Sequence, residues 1–381
     1  MPQYLLQTGN TPALTFYEAQ AVMGSQSEKI DDLAVLFTAD TDEQASQLFK
    51  LLGASVRLVK VERDWQTYSE ETLSQTLVET LMSQATDHLQ FAVARWGEAT
   101  AEQISLTELK KALQKEQVKA RYLEGSRDGL SAAVLLHQEV TELIVWQKAG
   151  KILIGRTLAI QDIDYWTIKD RRKPYFDRKK GMLPPKVARA MVNLAIGAQA
   201  EGQVVYDPFC GTGTILLEAL ERGCKVIGSD VDEKAAIGAQ TNLAWFAQLA
   251  ELPTDFKVFQ QPVAHATSQQ IGQKVTALVT EPFLGKPQAK SEQLPGIFKG
   301  LEKLYLGAFK QWQQILAPGA VVVMVFPRAE LSNGKAFDLS HFVDKLGDHG
   351  YTLRVDFGAI RYARPQAQIQ RDIVVLDYLK N

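Results

Sequence analysis

The stretch VVYDPFCGTGTILLEALERG, residues 204–223, joins an apolar run, an acid, two closely spaced glycines and a helical pattern. This order predicts a buried strand, a tight loop and a helix, with Asp207 at the carboxyl end of the strand. The loop lacks the third glycine of a dinucleotide fingerprint, because Leu216 takes that position, and it also lacks the lysine of a phosphate-binding P-loop. We therefore expect its ligand to carry no pyrophosphate.

A second acid, Asp230, ends the next predicted strand, KVIGSD. Open α/β sheets bind ligands at the carboxyl ends of their strands, and an acid about twenty residues after the first strand usually accepts hydrogen bonds from a ribose. A nucleoside with positive charge suits two carboxylates, and S-adenosylmethionine carries a sulfonium and an amino group. Asp232 is the alternative ribose ligand if the strand runs further, and a glycine turn that binds nothing is the alternative for the loop.

The third strand of this half ends in VFQQPV, where Gln260 or Gln261 can accept a hydrogen bond from an adenine amino group. A surface glutamine without a ligand is the alternative interpretation. The predicted cofactor contacts are Asp207, Pro208, Phe209, Gly211, Gly213, Thr214, Asp230 and Gln261.

Length and composition favour a multidomain globular protein. The chain has 381 residues, a formal net charge of −2 and two cysteines, Cys210 and Cys224. No apolar run approaches the roughly 18 residues that span a bilayer, and no leader peptide is evident, so we expect a cytoplasmic protein without membrane contact. Neither the histidines nor the cysteines have metal-ligand spacing, so no metal is expected, and Cys210 is interpreted as a packing residue.

The order of elements predicts three parts. Residues 1–65 alternate strand and helix signals, which is typical of a small ferredoxin-like α+β unit. Residues 66–165 have a weaker pattern, in which SLTELKKALQKE is a predicted helix with a capping box, and SAAVLLHQ, ELIVWQKAG and KILIGRTL are predicted strands. Residues 166–381 alternate apolar strands with helices, which predicts a Rossmann-like α/β domain with a parallel sheet, and two final strands predict an antiparallel hairpin at its end.

The segment IKDRRKPYFDRKKGMLPP, residues 168–185, is predicted to link the second part to the third. Its basic side chains are interleaved with Tyr175 and Phe176, a pattern that suits phosphate contact and base stacking, although a solvated linker is the plain alternative. The candidate RNA-binding residues are Lys169, Arg171, Arg172, Lys173, Arg178, Lys179 and Lys180.

Three blocks resemble the THUMP-domain RNA methyltransferases: DPFCGTGTILLEA (207–219), LPPKVARAMVNLA (183–195) and YARPQAQIQRDIVVL (362–376). The resemblance is greatest to the archaeal and eukaryotic enzymes that methylate the exocyclic N2 of a guanosine in tRNA. It is specific over about residues 165–381 and weak over 1–160, and by its order it implies a THUMP RNA-binding module in residues 66–165. S-adenosylmethionine as cofactor and tRNA or another structured RNA as partner follow from the resemblance.

The segment VTEPFLG, residues 279–285, stands where amino-methyltransferases typically have Asp or Asn, two prolines and an aromatic residue. In that motif the acceptor and the first proline's carbonyl bind the amine hydrogens, and the aromatic ring stacks on the base. The resemblance therefore implies that Glu281, Pro282 and Phe283 are catalytic. Phe283 replaces the second proline and Leu284 the aromatic residue, which puts catalytic competence in doubt.

The expected function is methylation of the N2 of a guanosine in tRNA. The alternatives are a catalytically degenerate RNA-binding protein and a DNA amine methyltransferase; a methyltransferase with a substrate other than nucleic acid would leave the basic segment unused.

Overall fold

The computed structural model describes residues 1–85, 88–100, 104–177, 182–286, 289–331, 334–363 and 367–380. The chain divides into two compact units. The first comprises Met1–Pro12, Met23–Lys50 and Ser55–Tyr165, and the second comprises Ala13–Val22, Leu51–Ala54 and Trp166–Asn381.

The first unit is built on one mixed sheet, whose strand order is β2-β3-β1-β4-β8-β7-β5-β6. Strands from residues 1–65 and from residues 66–165 share this sheet, because β4 pairs antiparallel with β8. The division of this region into a ferredoxin-like part and a THUMP part stays a prediction. The strands are β1 (Gln3–Thr8), β2 (Glu28–Lys29), β3 (Ala34–Thr38), β4 (Ser55–Trp65), β5 (His88–Gly97), β6 (Lys119–Tyr122), β7 (Thr141–Lys148) and β8 (Lys151–Ile160).

Helices α1 to α6 accompany these strands in the sequence. Side-chain caps mark the start of several of them: Ser105, for example, accepts a hydrogen bond from the Glu108 amide at 3.3 Å, which is one of the two bonds of the predicted capping box. The helices are α1 (Pro12–Met23), α2 (Asp42–Leu51), α3 (Glu70–Met82), α4 (Leu106–Lys115), α5 (Ala132–His137) and α6 (Ile163–Arg171).

Two predictions of local structure were wrong. The segment SAAVLLHQ is the helix α5 rather than a strand, because the Ser131 side chain caps it by accepting from the Val134 amide at 3.3 Å. A short apolar run does not by itself distinguish the two structures. The first part of the predicted linker is also helical, since α6 extends to Arg171.

The second unit contains a sheet with the order β11-β10-β9-β12-β13-β17-β15, to which β14 and β16 attach at β13 and β17. Its strands are β9 (Val204–Asp207), β10 (Lys225–Asp230), β11 (Phe256–Gln260), β12 (Val275–Thr280), β13 (Leu316–Glu330), β14 (Ala336–Phe337), β15 (Tyr351–Leu353), β16 (Arg361–Tyr362) and β17 (Ile369–Tyr378). Besides α1 and most of α6, its helices are α7 (Pro185–Ile196), α8 (Thr214–Glu221), α9 (Glu233–Leu249), α10 (Ser268–Ile271), α11 (Leu294–Trp312) and α12 (Ser340–Gly347).

The strands β11, β10, β9, β12 and β13 are parallel, whereas β17 is antiparallel to both β13 and β15. The predicted Rossmann-like sheet with a final antiparallel hairpin is therefore confirmed. Its central strands are apolar and buried on both faces; Val205, Leu278 and Val323 are all 0% exposed. Within the described residues, no helix is long and apolar enough to cross a membrane.

Candidate functional site

The candidate site lies where three neighbouring parallel strands of the second unit end. β10, β9 and β12 are adjacent and terminate at Asp230, Asp207 and Thr280, so their carboxyl ends meet at one edge of the sheet. The Thr280 hydroxyl donates a hydrogen bond of 2.6 Å to Asp207 Oδ1 across two of these strands. Glu281 follows directly after β12. Two acidic side chains thus end adjacent strands and a third directly follows the next strand. This group of carboxylates suits a cationic ligand.

The glycine-rich loop is shaped by its two glycines. Gly211 and Gly213 have φ angles of 52° and 77°, which side chains rarely tolerate, and Gly213 serves as the N-cap of α8. A Cβ atom at Gly213 would lie 3.2 Å from Ala239 Cβ, so the loop packs closely on α9. Asp230 Oδ2 accepts a hydrogen bond of 3.0 Å from the Gly211 amide. The acid at the end of β10 therefore holds the loop at the end of β9.

Asp207 is almost fully covered, with 2% of its surface exposed. Its Oδ1 accepts from Thr280 and, at 3.1 Å, from the Phe209 amide; neither bond uses Oδ2. Burial raises the pKa of Asp207 to about 7, and the nearby carboxylates of Asp230 and Glu281 act in the same direction. A cation bound beside this carboxyl would favour its ionised form.

The alternative ribose ligand, Asp232, has a structural role. It is the N-cap of α9, and its side chain accepts from the Lys234 amide at 3.1 Å. Asp230 is the residue that ends β10, and its Oδ1 accepts from the Asp232 amide at 2.9 Å. The geometry favours Asp230 as the residue at the strand tip, and its contact with a ribose stays a prediction.

Gln260 and Gln261 are both engaged locally. The Gln260 side-chain amide donates to the Val231 carbonyl at 3.1 Å. Gln261 donates to the His265 carbonyl at 2.9 Å and accepts from the Gln270 side chain at 3.0 Å. The predicted contact of Gln261 with an adenine would have to share or replace these bonds, and it stays a prediction.

Helix α11 packs against the turn from Glu281 to Gly285 and donates a hydrogen bond to it. The hydroxyl of Tyr305, a fully buried residue of α11, donates to the Phe283 carbonyl at 2.7 Å. Gly285 has a φ of 95°, and a Cβ there would lie 2.9 Å from Ile297. Pro282 is buried, whereas Phe283 is 58% exposed. An aromatic side chain two positions after Glu281 is therefore open to solvent, at the residue that replaces the second proline.

Arg371 was not predicted from the sequence. It lies in β17, and its Nε donates to Glu281 Oε1 at 2.5 Å. Its signals in the sequence are a charged side chain two positions before the apolar run IVVL and a place in the block YARPQAQIQRDIVVL (362–376). Pattern reasoning could not connect it to Glu281, since the two residues are 90 positions apart.

Two of the predicted RNA-binding residues, Lys169 and Lys173, are buried, so the prediction that they contact RNA at the surface is wrong. Lys169 is 1% exposed and forms ion pairs with Glu218 at 2.9 Å and Glu221 at 2.7 Å. Arg189 pairs with the same two carboxylates. The two glutamates, three positions apart on α8, attract both cations into the interior.

Lys173 is likewise 1% exposed. Its ammonium group donates to Thr214 Oγ1 at 3.0 Å and to Thr212 Oγ1 at 3.5 Å, and burial lowers its pKa. Asn242 joins the nearby Tyr175 to the glycine-rich loop: it accepts from the Tyr175 amide at 2.8 Å and donates to the Thr212 carbonyl at 2.9 Å. This part of the basic segment therefore supports the glycine-rich loop instead of facing RNA.

The other basic residues of the segment differ from these two. Arg171 and Arg172 are exposed, and their contact with RNA stays a prediction. Arg178, Lys179 and Lys180 lie outside the described residues.

Cys210 packs in the loop. A Cβ atom at Gly228 would lie 3.4 Å from its sulfur, and burial raises the pKa of the thiol. Both cysteines are buried free thiols. In the described part of the chain, no group of three or more His, Cys, Asp or Glu side chains could hold a metal ion.

Comparison of this sequence with known protein families and with curated proteins identifies methyltransferase relatives. The UPF0020 family, described as an RMKL-like methyltransferase domain, matches residues 172–333. A DNA methylase family matches residues 89–240. A protein of Methanothermococcus thermolithotrophicus, named a probable tRNA (guanine(10)-N2)-dimethyltransferase, is 33% identical over 117 residues, which cover 30% of this chain and 70% of that protein. The chain belongs to the tRNA (guanine-N2) methyltransferase family.

Other members of the tRNA (guanine-N2) methyltransferase family match over a smaller share of their length. The tRNA (guanine(10)-N2)-dimethyltransferase of Methanothermobacter thermautotrophicus is 33% identical over 178 residues, 46% of this chain and 48% of that protein. That of Methanocaldococcus jannaschii is 34% identical over 153 residues, 40% of this chain and 42% of that protein. The chain thus spans about half the length of the curated relatives that it matches first.

Solved structures support the fold. TrmN from Thermus thermophilus has a TM-score of 0.56 at 18% identity, covering 99% of this chain and 100% of that one. SMU.472, crystallised with SAH, has a TM-score of 0.52 at 12% identity, covering 100% and 99%. At these identities the likeness shows the architecture alone.

Proposed function

We propose that this protein transfers the methyl group of S-adenosylmethionine to the exocyclic N2 of a guanosine in tRNA. The observation that carries the proposal is the shared sheet edge, where Asp207, Asp230 and the turn after Glu281 come together in a chain of this family. The names of the archaeal relatives supply the base and the atom, and the substrate is carried over from them to this chain.

The residues present fit S-adenosylmethionine. The carboxyl groups of Asp207 and Asp230 at the strand ends suit its positive charge, and glycines with positive φ let the backbone approach a ligand. Asp207, Pro208, Phe209, Gly211, Gly213 and Thr214 would hold the methionine portion, Asp230 the ribose, and Gln261 the adenine. When bound, the cofactor supplies a methyl group already activated by the sulfonium.

Glu281, Pro282 and Phe283 would hold the target amine. Oε2 of the Glu281 carboxylate and the carbonyl of Pro282 would accept the amine hydrogens, so that the nitrogen lone pair points away from both acceptors. The exposed ring of Phe283 supplies a stacking face for an extruded base, worth about 1–3 kcal/mol. Most of the rate acceleration would come from this positioning.

Residues 1–65, as a ferredoxin-like part, and residues 66–165, as a THUMP module, would bind the tRNA. The methyltransferase domain would then be residues 166–381. Arg171 and Arg172, which are exposed at the end of α6 and just beyond it, together with Arg178, Lys179 and Lys180, would contact RNA phosphates. A cytoplasmic location accords with two free thiols.

Methyl transfer is tested by incubating the purified protein with tRNA transcripts and labelled S-adenosylmethionine, followed by mass spectrometry of the nucleosides. We expect N2-methylated guanosine. Glu281→Ala should bind the cofactor with wild-type affinity in calorimetry and lose at least about 100-fold in turnover. Glu292→Ala, at an exposed glutamate shortly after the same turn, is the matched control.

A DNA amine methyltransferase is the second candidate, because a DNA methylase family also matches part of the chain. The same assay with duplex DNA in place of tRNA separates the two, since label in DNA and not in tRNA would replace our proposal. Tight tRNA binding with no transfer to any nucleic acid would instead indicate a degenerate, RNA-binding protein, as the departures at Phe283 and Leu284 allow.

A further inference from the structure

Strands β13 and β17 reach the turn that carries Glu281. β13 and β17 extend beyond β12, because Thr280 at the end of β12 pairs with Met324, whereas Arg371 pairs with Pro327, further along β13. Arg371 is therefore level with the residues that follow β12. From there its side chain reaches Glu281 across the intervening strand.

The contact between these two side chains is largely shielded from water. Arg371 Nε lies 2.5 Å from Glu281 Oε1, and the side chains are 14% and 16% exposed. The guanidinium carbon is also 5.9 Å from the ring centroid of Tyr362, in β16. A shielded, charge-assisted hydrogen bond is stronger than one in open solvent, so it can hold a side chain in one rotamer.

Glu281 needs such support more than a shorter acid would. A glutamate has one more rotatable bond than an aspartate, and ordering it costs side-chain entropy. The bond from Arg371 occupies Oε1, which leaves Oε2 as the oxygen for a substrate amine. Restricting the Glu281 rotamer in advance lowers the entropic cost of ordering this side chain, which substrate binding would otherwise have to offset.

We propose that Arg371 is a positioning residue for methyl transfer, which holds the Glu281 carboxylate so that Oε2 accepts the target amine. This inference rests on the proposed function. It makes the last strand of the chain part of the candidate active site, and it gives the long side chain of Glu281 a partner that can hold its carboxylate.

The test compares Arg371→Gln and Arg371→Lys with the wild type. We expect Arg371→Gln to lower kcat about 100-fold, while KM for tRNA and the Kd for S-adenosylmethionine change less than about threefold. Arg371→Lys, which keeps a cation, should recover at least about tenfold of that loss. Arg354→Gln is the matched control, because it removes an exposed ion pair to Asp377 on the same strand.

A double-mutant cycle asks whether Arg371 acts through Glu281. Adding Arg371→Gln to Glu281→Gln should cause no further loss in the single-turnover rate, and the two changes should not add in their effects on Tm. Additive rate losses, or an equal rise in KM, would overturn the positioning role. If Glu281→Gln leaves no measurable rate, failure of Arg371→Lys to recover activity would overturn it instead.

The outcomes separate this inference from the proposed function. A wild-type protein that methylates no nucleic acid overturns both. An active wild type with an unaffected Arg371→Gln variant overturns the positioning role alone.

Discussion

Thr280 donates a 2.6 Å hydrogen bond to Asp207 from a neighbouring strand, and neither side chain is more than 2% exposed. This bond joins the two halves of the candidate site, because Asp207 precedes the glycine-rich loop and Thr280 precedes Glu281. Because the Asp207 carboxyl is buried, its pKa in the folded chain differs from its pKa in the unfolded chain, and its protonation is therefore linked to folding.

Asp207 should make stability fall as pH rises from about 4 to about 7. Its pKa is about 7 in the folded chain against an ordinary value of 3.8, so within this window the folded state keeps a proton that the unfolded state loses. The stabilisation is fully present below pH 3.8 and is lost as pH rises through about 7. Urea unfolding of the wild type and of Asp207→Asn at pH 5 and pH 8 measures this. Relative to the variant, the wild type should lose stability at pH 8, and a pH-independent difference would contradict the assignment.

Asp230→Ala should weaken S-adenosylmethionine binding by at least about 100-fold in calorimetry. The change removes the predicted ribose acceptor and also the bond that holds the Gly211 amide, and the loss of two or more hydrogen bonds to a charged group is of this size. Asp255→Ala is the control, since Asp255 is an exposed residue just before β11. An Asp230→Ala variant with unchanged affinity would remove Asp230 from the cofactor site.

Lys169→Met should destabilise the protein by about 3–5 kcal/mol without a direct effect on RNA affinity, because it leaves the buried Glu218 and the partly exposed Glu221 with one cation fewer. Denaturant unfolding measures the loss of stability. A variant of wild-type stability that binds RNA less tightly would show that Lys169 faces the RNA after all.

Arg171→Gln combined with Arg172→Gln should weaken tRNA binding and reduce its salt dependence by about one unit of the log–log slope for each phosphate that the variant no longer neutralises. Both side chains are exposed, so folding should be little affected. Binding is measured over a series of salt concentrations, with Lys303→Gln combined with Lys310→Gln, two exposed residues of α11, as a charge-matched control. An unchanged slope would mean that the two arginines face solvent.

Much of the candidate site was predictable because it depends on local order in the chain. The strand, glycine loop and helix from Val204 to Gly223, with an acid at the strand's end, follow from apolar periodicity and from backbone angles that favour glycine. The family resemblance of residues 207–219 and 362–376 also rests on contiguous motifs. These features need no knowledge of distant neighbours.

The tertiary structure alone decided which charged side chains face solvent and which pair with each other. Lys169 and Arg171 are two positions apart in one basic segment, yet only Lys169 is buried, because α8 presents Glu218 and Glu221 to it. Arg371 meets Glu281 only because β17 inserts beside β13. A charge has a favourable energy in the interior only next to its partner, and the partners here come from elements that are distant along the chain.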